Sequence, residues 1–419
     1  MPRILGVWVH AWDVADVGAE TIAEELSTLG FTHVSMCVRY VEERQCWPGP
    51  NILFRNPRRL TYTSEESPFY WPVSEERYSK LPPPLRPRTS REYSGDVVGE
   101  FIEAVRARGL KAILWLPLLR FEAAVREDPS LAAVDVWGSV ADYKRLFLCP
   151  SRKEVRDFVA AVVEDLLSRY EFDELELDYI RYPRPPVTYA YPKAVLSMLA
   201  CLCPHCVARA EAAGIDTREL IRRLRAYGEE VRELINKVAT YPLPSDADFT
   251  TSLLHDLMRI LAEDPLVVRW LEFRASLIEE VVTLIRDKVK ELNPKVTLSA
   301  DLYPPSASWL VGQDYRRLGK LLDRVKTMLY TRQFGASPSR IPYEVALGLK
   351  QLRGCGADLI VGVGSWPPAT VGDVVSDAEA ALRAGAHGIY LYSYGWTPKA
   401  VLHEAAKLLS GSLRGVSHE

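Results

Sequence analysis

Eight short apolar segments alternate with amphipathic stretches along the whole sequence, and this alternation constrains the fold more than any other feature. The predicted strands span residues 4–12, 32–41, 111–119, 173–180, 295–303, 324–331, 358–366 and 387–395. Several intervening stretches end in glycine or Asn-Pro just before the next strand, as helices commonly do. Eight strands, each followed by a helix, predict a (β/α)8 TIM barrel.

An open, doubly wound α/β sheet is the alternative architecture for the same pattern. That fold usually carries a glycine-rich phosphate loop after its first strand, and no GxGxxG motif follows residues 4–12. A chain of 419 residues could hold two or three domains, but α/β barrels often reach this size as one. We therefore expect one barrel domain over residues 1–419, with no organic cofactor.

Two long insertions interrupt the regular alternation. Residues 42–93, after the second predicted strand, are rich in proline and aromatic residues, and residues 184–264, after the fourth, contain a cysteine cluster and one or two helices. Loops of this length are commonly functional lids or rims. Both follow strands, so in a barrel both belong to the carboxyl-terminal face, where such folds keep their active sites.

Composition is that of an ordinary globular protein, with 48% hydrophobic and 26% charged residues. The net charge of -3 gives no electrostatic case for nucleic acid or an anionic membrane as a partner. No apolar run approaches the ~20 residues of a membrane helix. The opening MPRILGVWVHAWD is better interpreted as a strand than as an export signal, which predicts a cytoplasmic protein. The excess of arginine over lysine and of proline over glycine is compatible with a thermophile source.

The fourth predicted strand carries an unusual series of acids in the segment FDELELDYIRYP, residues 172–183. Side chains alternate along a strand, so Glu174, Glu176 and Asp178 point together into the predicted barrel, with Asp178 nearest the carboxyl-terminal mouth. Glycosidases need one carboxylic acid to protonate the leaving oxygen and a second carboxylate as nucleophile or base. Asp178 is the first candidate. The alternative is that these acids only form ion pairs inside the barrel.

A second carboxylate should end a different strand, and Asp301 in LSADLYP, on the fifth strand, is the best placed. Neighbouring strands could bring Asp178 and Asp301 to either of the two glycosidase separations, so both retention and inversion stay open. The alternative for Asp301 is a helix cap or the partner of a nearby arginine.

Other residues near the predicted strand ends have the aromatic and hydrogen-bonding character of a carbohydrate cleft. Sugars present apolar faces to aromatic rings and hydroxyl groups to polar side chains, whereas aromatic residues can also simply fill a barrel. The candidate substrate-binding residues are His10, Trp12, Arg39, Glu176, Arg181, Tyr330, Trp366, Tyr394 and Trp396.

The motif CLCPHC supplies Cys201, Cys203 and Cys206 at C-x-C-x2-C spacing. Zinc prefers four thiolate or imidazole ligands in a tetrahedron, and Cys149 in FLCPS is the favoured fourth, ahead of His205. Four protein ligands leave no open coordination position, which predicts a structural zinc. Free, partly buried cysteines are the alternative.

The segment FDELELDYIRYP resembles the fourth-strand signature of a glycoside hydrolase-like TIM-barrel family, in which an LDYIRYP-type segment recurs. FLCPSRKEVRDF, LSADLYP and KTMLYT fit the same pattern, so the resemblance covers most of the barrel. The strand is similar, more distantly, to that of family 18 chitinases, but Ile180 stands where their catalytic glutamate would fall. Substrate-assisted chemistry of the chitinase type is therefore not expected.

The cysteine cluster resembles that of family 42 β-galactosidases, in which a C-x-C-x2-C group after the fourth strand and an upstream cysteine hold a structural zinc. The catalytic glutamates of those enzymes have no counterparts here, so the resemblance implies only the metal site. The sequence as a whole predicts a glycoside hydrolase acting on an oligo- or polysaccharide. The alternatives are a non-catalytic carbohydrate-binding barrel and a zinc-assisted hydrolase of other chemistry.

Overall fold

The structure is a computed structural model that describes residues 4–41, 43–46, 61–64, 67–93, 95–140, 146–183, 200–238, 259, 262–333 and 335–415. Its centre is a closed barrel of eight parallel strands. In chain order these are β1 (Ile4–His10), β2 (His33–Cys37), β5 (Lys111–Pro117), β6 (Glu174–Asp178), β7 (Thr297–Leu302), β8 (Arg324–Leu329), β9 (Asp358–Gly364) and β10 (Gly388–Tyr392). Strand β10 pairs with β1 and closes the barrel. The predicted (β/α)8 fold is confirmed, and the open sheet is wrong.

Helices surround the barrel and connect its strands. They are α1 (Ala11–Val17), α2 (Ala19–Thr28), α3 (Val97–Ala107), α4 (Glu122–Glu127), α5 (Lys153–Arg169), α6 (Pro204–Ala212), α7 (Thr217–Val238), α8 (Pro265–Leu292), α9 (Tyr315–Leu318), α10 (Arg340–Leu352), α11 (Val371–Arg383) and α12 (Lys399–Gly415). Among the described residues, no helix combines the length and apolar character needed to cross a bilayer.

The strands end earlier than the sequence predicts. Asp13 accepts a hydrogen bond from the backbone N–H of His10 at 3.1 Å, so helix α1 begins immediately after β1 and Trp12 is helical rather than extended. Strand β10 ends at Tyr392, and Trp396 therefore lies in the following turn. The side-chain directions that strand alternation predicts for Trp12 and Trp396 are therefore wrong, because neither residue lies in a strand.

The barrel interior combines buried charged groups with the aromatic rings of Trp8 and Tyr390, whereas the outer faces of its strands are apolar. In β6, Leu175 and Leu177 belong to the buried hydrophobic core, and the acids between them make contacts across the barrel, as with Ser35 of β2 and Glu176. Alternation thus points the acids into the barrel and the leucines outwards, towards the surrounding helices.

The predicted insertion at 42–93 lies between β2 and α3. Its described part includes an antiparallel pair, β3 (Glu43–Cys46) and β4 (Thr61–Ser64), and residues 67–93, which dock on α5. The buried Asp165 accepts hydrogen bonds from Trp71 Nε1 and Tyr78 Oη, both at 2.9 Å. One carboxylate thereby anchors this segment to the barrel.

The predicted insertion at 184–264 lies between β6 and α8 and contributes α6 and α7. Within it, residues 184–199, 239–258 and 260–261 lie outside the described residues.

Candidate active site

The lowest acid of β6 is neutralised by two cations. Glu174 forms a 2.8 Å ion pair with Lys326, contacts Arg324, and accepts a hydrogen bond from Ser299 Oγ at 2.6 Å. Burial by itself would raise the pKa of Glu174, but the two cations outweigh it and lower that pKa to about 2. Glu174 is therefore a permanent carboxylate in the barrel floor.

Glu176 lies one layer higher and is fully buried. Its carboxylate accepts hydrogen bonds from Trp8 Nε1, from Ser35 Oγ at 2.6 Å and from Lys326 Nζ. The predicted substrate-binding role of Glu176 does not fit this position, because both oxygens are engaged by the protein and neither faces solvent. The residue is a structural part of the barrel interior.

Lys326 joins these two layers, and replacing it should destabilise the fold. Lys326→Met would leave two buried carboxylates without their shared cation, and we expect the free energy of unfolding at pH 7 to fall by about 3–5 kcal/mol. The loss should shrink towards pH 4, where the orphaned acids can take up protons. Chemical denaturation across this pH range measures both effects.

The exposed Lys320→Met is the control for Lys326→Met, and the double variant Lys326→Met/Glu176→Gln should recover part of the lost stability. A loss that does not depend on pH would contradict the assignment. In the unsubstituted protein, Glu174 adds stability that is complete above its unfolded pKa of 4.5 and disappears as pH falls towards 2.

Asp178 ends β6 at the mouth of the barrel, with 6% of its surface exposed. It accepts hydrogen bonds from Trp115 Nε1 at 3.1 Å and from the backbone N–H of Tyr179 at 2.5 Å. Burial raises the pKa of Asp178 to about 6, while the nearby Arg181 and the hydrogen bonds oppose that rise. A carboxyl group with this pKa is mostly ionised at pH 7 and still close enough to its pKa to exchange protons.

The chain is strained immediately after Asp178. Tyr179 adopts a left-handed backbone conformation with φ 52°, which a residue with a bulky side chain rarely does. This conformation accompanies the contact of the Tyr179 N–H with the Asp178 carboxylate. Strain of this kind concentrates at functional sites, so the backbone conformation of Tyr179 makes the end of β6 a candidate functional site.

Asp301 lies one residue before the end of β7, the strand beside β6. Leu177 pairs with Ala300, so Asp178 and Asp301 are the next residues in register, and their Cα atoms are about 5 Å apart across the two strands. Burial, followed by the charges of Glu176 and Asp178, raises the pKa of Asp301 well above its ordinary value. Two neighbouring carboxyl groups with unequal pKa values can work as an acid and a base.

Aromatic residues form a rim around this mouth. Tyr330 lies 5.1 Å from Trp366 and 5.4 Å from Tyr392 between ring centroids, and Tyr392 lies 5.3 Å from Trp396. Tyr330, Tyr392 and Trp396 are half-buried rather than fully covered by the protein. Burial and the charges of Asp301 and Asp178 raise the pKa of the Tyr330 phenol, which therefore keeps its proton beside the carboxyl pair.

His10 and Trp12 do not reach this surface. The fully buried imidazole of His10 stacks on Trp12 at 4.0 Å and on Trp396 at 5.0 Å. Trp12 is itself only 3% exposed, because it starts α1 instead of continuing β1. His10 thus packs against both Trp12 and Trp396, and neither His10 nor Trp12 presents a face for a sugar.

Arg39 and Tyr394 are also placed differently from the prediction. Arg39 is fully buried against the Phe121 ring, and its guanidinium donates to the carbonyl oxygens of Pro117 at 2.6 Å and Arg120 at 2.8 Å. The Tyr394 hydroxyl donates to Glu25 of α2 at 2.9 Å. These side chains hold loops and helices to the barrel, so the structure does not bring them to the substrate side.

Several residues of the site were missed by sequence reasoning. Lys326 could have been found, since a lysine within an apolar strand of a barrel whose neighbouring strands carry inward acids needs a charged partner. No sequence pattern singles out Trp115 or Tyr392. The position of Trp115 beside Asp178 and that of Tyr392 in the aromatic rim both depend on contacts between strands. Tyr179 follows directly on Asp178, but its backbone conformation is not visible in the sequence.

The four predicted cysteine ligands lie together. The Sγ atoms of Cys149, Cys201, Cys203 and Cys206 are buried and all within 4.8 Å of one another. Cys149 is 3.4 Å from both Cys203 and Cys206. The cluster thus joins the segment before α5 to the start of α6.

This cluster fits a tetrahedral metal. Zinc–sulfur bonds of about 2.3 Å place thiolates about 3.8 Å apart, which agrees with the spacing here. The backbone N–H groups of Val134 and Cys206 point at the sulfurs of Cys201 and Cys203, at 3.3 and 3.5 Å, as suits sulfur atoms that carry negative charge. A buried cluster of four cysteines can therefore hold a metal ion.

Closed (β/α)8 barrels carry their active sites at the carboxyl-terminal mouth, and two neighbouring carboxyl groups, those of Asp178 and Asp301, lie there in this protein. Residues 89–350 match the family described as "Putative glycosyl hydrolase domain". The match covers more than half of the chain, and the protein belongs to this glycoside hydrolase-like family. A comparison with proteins of curated function gives no match.

Solved structures share the fold at low sequence identity. The chain matches the β-galactosidase of Halorubrum lacusprofundi with a TM-score of 0.58 and 15% identity, over 98% of this chain and 58% of that one. It matches the β-galactosidase of Marinomonas ef1 with a TM-score of 0.55 and 14% identity, over 99% of this chain and 60% of that one. It matches α-L-fucosidase isoenzyme 2 of Paenibacillus thiaminolyticus with a TM-score of 0.57 and 12% identity, over 99% of this chain and 50% of that one. The chain thus spans between half and three-fifths of these proteins, and the likeness concerns the fold.

Proposed function

We propose that this protein hydrolyses a glycosidic bond of an oligo- or polysaccharide at the carboxyl-terminal mouth of the barrel. The observation that carries the proposal is the pairing of Asp178 and Asp301, adjacent in register, buried, and with pKa values raised to different extents. The family description and the barrel shared with glycosidases support it.

In the proposed reaction, Asp301 is the general acid and Asp178 the nucleophile. Protonated Asp301 gives its proton to the glycosidic oxygen as that bond breaks, while Asp178 bonds to the anomeric carbon. Water, deprotonated by the Asp301 carboxylate, then hydrolyses the glycosyl ester and restores both groups. Positions on adjacent strands favour the short carboxyl separation of retaining enzymes, about 5–5.5 Å, over the longer inverting one.

The half-buried rim supplies the proposed sugar platform. Tyr330 lies near the carboxyl pair. Its ring contacts those of Trp366 and Tyr392, and Tyr392 contacts Trp396. Aromatic faces bind the apolar faces of sugars. Of the predicted substrate-binding residues, Tyr330, Trp366, Trp396 and Arg181 stay in the proposal.

The test is a panel of aryl glycosides and oligosaccharides, with the pH dependence of kcat/KM on any substrate that is cleaved. Activity should fall below about pH 6, because Asp178 must be ionised to attack. Activity should also fall at high pH, because Asp301 must carry a proton. Sugar binding without turnover across the panel would support a non-catalytic carbohydrate-binding barrel instead.

We further propose that the cysteine cluster holds a structural zinc. Cys149, Cys201, Cys203 and Cys206 would fill all four positions, so the ion would brace the segment after β6 without taking part in the chemistry. In this proposal residues 1–419 form one barrel domain, and 42–93 and 184–264 are insertions on the side of the mouth. The cytoplasmic location and the thermophile source stay predictions.

A further inference from the structure

We propose that Arg181 binds an acidic group of the substrate, a carboxylate or a sulfate on the sugar chain, so that the natural substrate is an anionic glycan. The proposal rests on the function proposed above and specifies its substrate class. Arg181 follows Asp178 by three residues at the end of β6, beside the site where the bond would be cleaved.

Other deeply buried arginines in the described chain make more hydrogen bonds to the protein. Arg39 donates to three carbonyl oxygens, although its Nε, like that of Arg181, has no acceptor. Arg274 donates to the carbonyls of Ala200 and Leu310, and Arg120 pairs with Glu122 at 2.5 Å while also donating to the Tyr179 hydroxyl. Protein contacts thus offset the burial of each of these guanidinium groups.

Arg181 is different. It is 5% exposed, yet Nη1 donates to the Tyr182 carbonyl at 3.2 Å and Nε has no acceptor. Within the described residues, no carboxylate makes a direct ion pair with it. A guanidinium has five N–H donors, and buried donors without partners are unfavourable. The side chain of Arg181 is therefore suited to bind a ligand that carries hydrogen-bond acceptors.

Aromatic rings hold the guanidinium of Arg181 in place. Its central carbon lies 4.7 Å from the ring centre of Tyr179, 4.9 Å from Tyr303 and 5.2 Å from Phe147. These rings stabilise the charge without using the N–H groups in the guanidinium plane. A planar, pre-oriented set of donors is the arrangement that binds carboxylate and sulfate groups with paired hydrogen bonds.

The charges below the mouth are balanced without Arg181. Glu174 and Glu176 are matched by Arg324 and Lys326, which leaves Asp178 as the anion near Arg181. In the proposed reaction Asp178 becomes a neutral ester as Asp301 gives up its proton, so the carboxyl pair keeps one negative charge. The open N–H donors of Arg181 are therefore not needed by another acid of the barrel and can bind a group on the sugar.

The test separates ligand binding from catalysis. Binding of glucuronate, galacturonate and galactose 6-sulfate is compared with that of glucose and galactose by calorimetry, on the wild type and on Arg181→Gln. We expect the acidic sugars to bind at least about tenfold more tightly than the neutral ones to the wild type, and to lose this preference in Arg181→Gln. The carboxylate and sulfate ligands identify which acidic group is preferred.

Arg181→Lys, which keeps the charge but not the planar donors, should retain part of the preference, and the exposed Arg218→Gln should retain all of it. Equal binding of neutral and acidic sugars by the wild type would overturn the proposal without any variant. Equal losses for both classes in Arg181→Gln would also overturn it, because Arg181 would then act only through Asp178. Arg181-dependent binding without turnover of any glycan would instead contradict the hydrolase function.

Discussion

Asp178→Asn should lower kcat on any cleaved glycoside by at least about 10³-fold while leaving the fold intact. The amide cannot attack the anomeric carbon or accept a proton from water. It can still accept one of the two hydrogen bonds that Trp115 Nε1 and the Tyr179 N–H now make, and it removes a buried charge. Kinetics with the same substrate and thermal denaturation of both proteins measure the two parts of this expectation.

The control for this result is Asp287→Asn, the same change at an exposed site on α8, which should leave kcat unaltered. Azide added to Asp178→Ala should restore turnover and give a glycosyl azide, since a small anion can occupy the place of the lost carboxylate. Wild-type activity in Asp178→Asn would remove Asp178 from the mechanism.

Asp301→Asn should behave differently, because an acid matters most when the leaving group is poor. Its kcat/KM, which reports the step that breaks the glycosidic bond, should fall strongly on alkyl glycosides and oligosaccharides but much less on aryl glycosides with activated leaving groups. Equal losses on both kinds of substrate would mean that Asp301 does not protonate the leaving oxygen.

The fold was predictable from the sequence because each strand and helix carries its own periodic signal. The eight predicted strands all exist, and the acids of β6 face inward as alternation requires. The ends of the strands were not predictable, since a single capping contact decides them. Asp13 starts α1 at once after His10 and thereby removes Trp12 from the predicted strand.

The surroundings of the candidate site were less predictable than its position. Asp178 and Asp301 lie at adjacent strand ends because parallel register follows from strand order. In contrast, Arg39 and Tyr394 are directed away from the substrate side by Pro117, Arg120 and Glu25, residues far from them in sequence. Such long-range partners are set by packing, and a single sequence does not reveal them.

The cysteine cluster leads to the second large expected effect, on the metal and on local stability. The purified protein should contain about one zinc per chain, and Cys203→Ser should lower its affinity for zinc by more than about 100-fold. Cys355→Ser, a half-buried cysteine outside the cluster, is the matched control and should keep the metal. Metal analysis of the purified variants measures this directly.

Loss of the metal should also loosen a defined region of the fold. Arg274 of α8 donates to the carbonyl of Ala200, next to Cys201, and to that of Leu310 in the segment after β7. Hydrogen exchange should therefore rise in residues 200–238 and around Leu310 in Cys203→Ser, while the barrel strands stay protected. Unchanged exchange in these segments would contradict the bracing role.

The same variant distinguishes a structural zinc from a catalytic one. If the ion only braces the fold, Cys203→Ser should keep a measurable kcat at temperatures well below its lowered Tm, with activity lost as residues 200–238 open. If zinc took part in the chemistry, kcat would vanish even where hydrogen exchange shows these residues still folded. Four buried thiolates leave no coordination position for water or substrate, so we expect the first result.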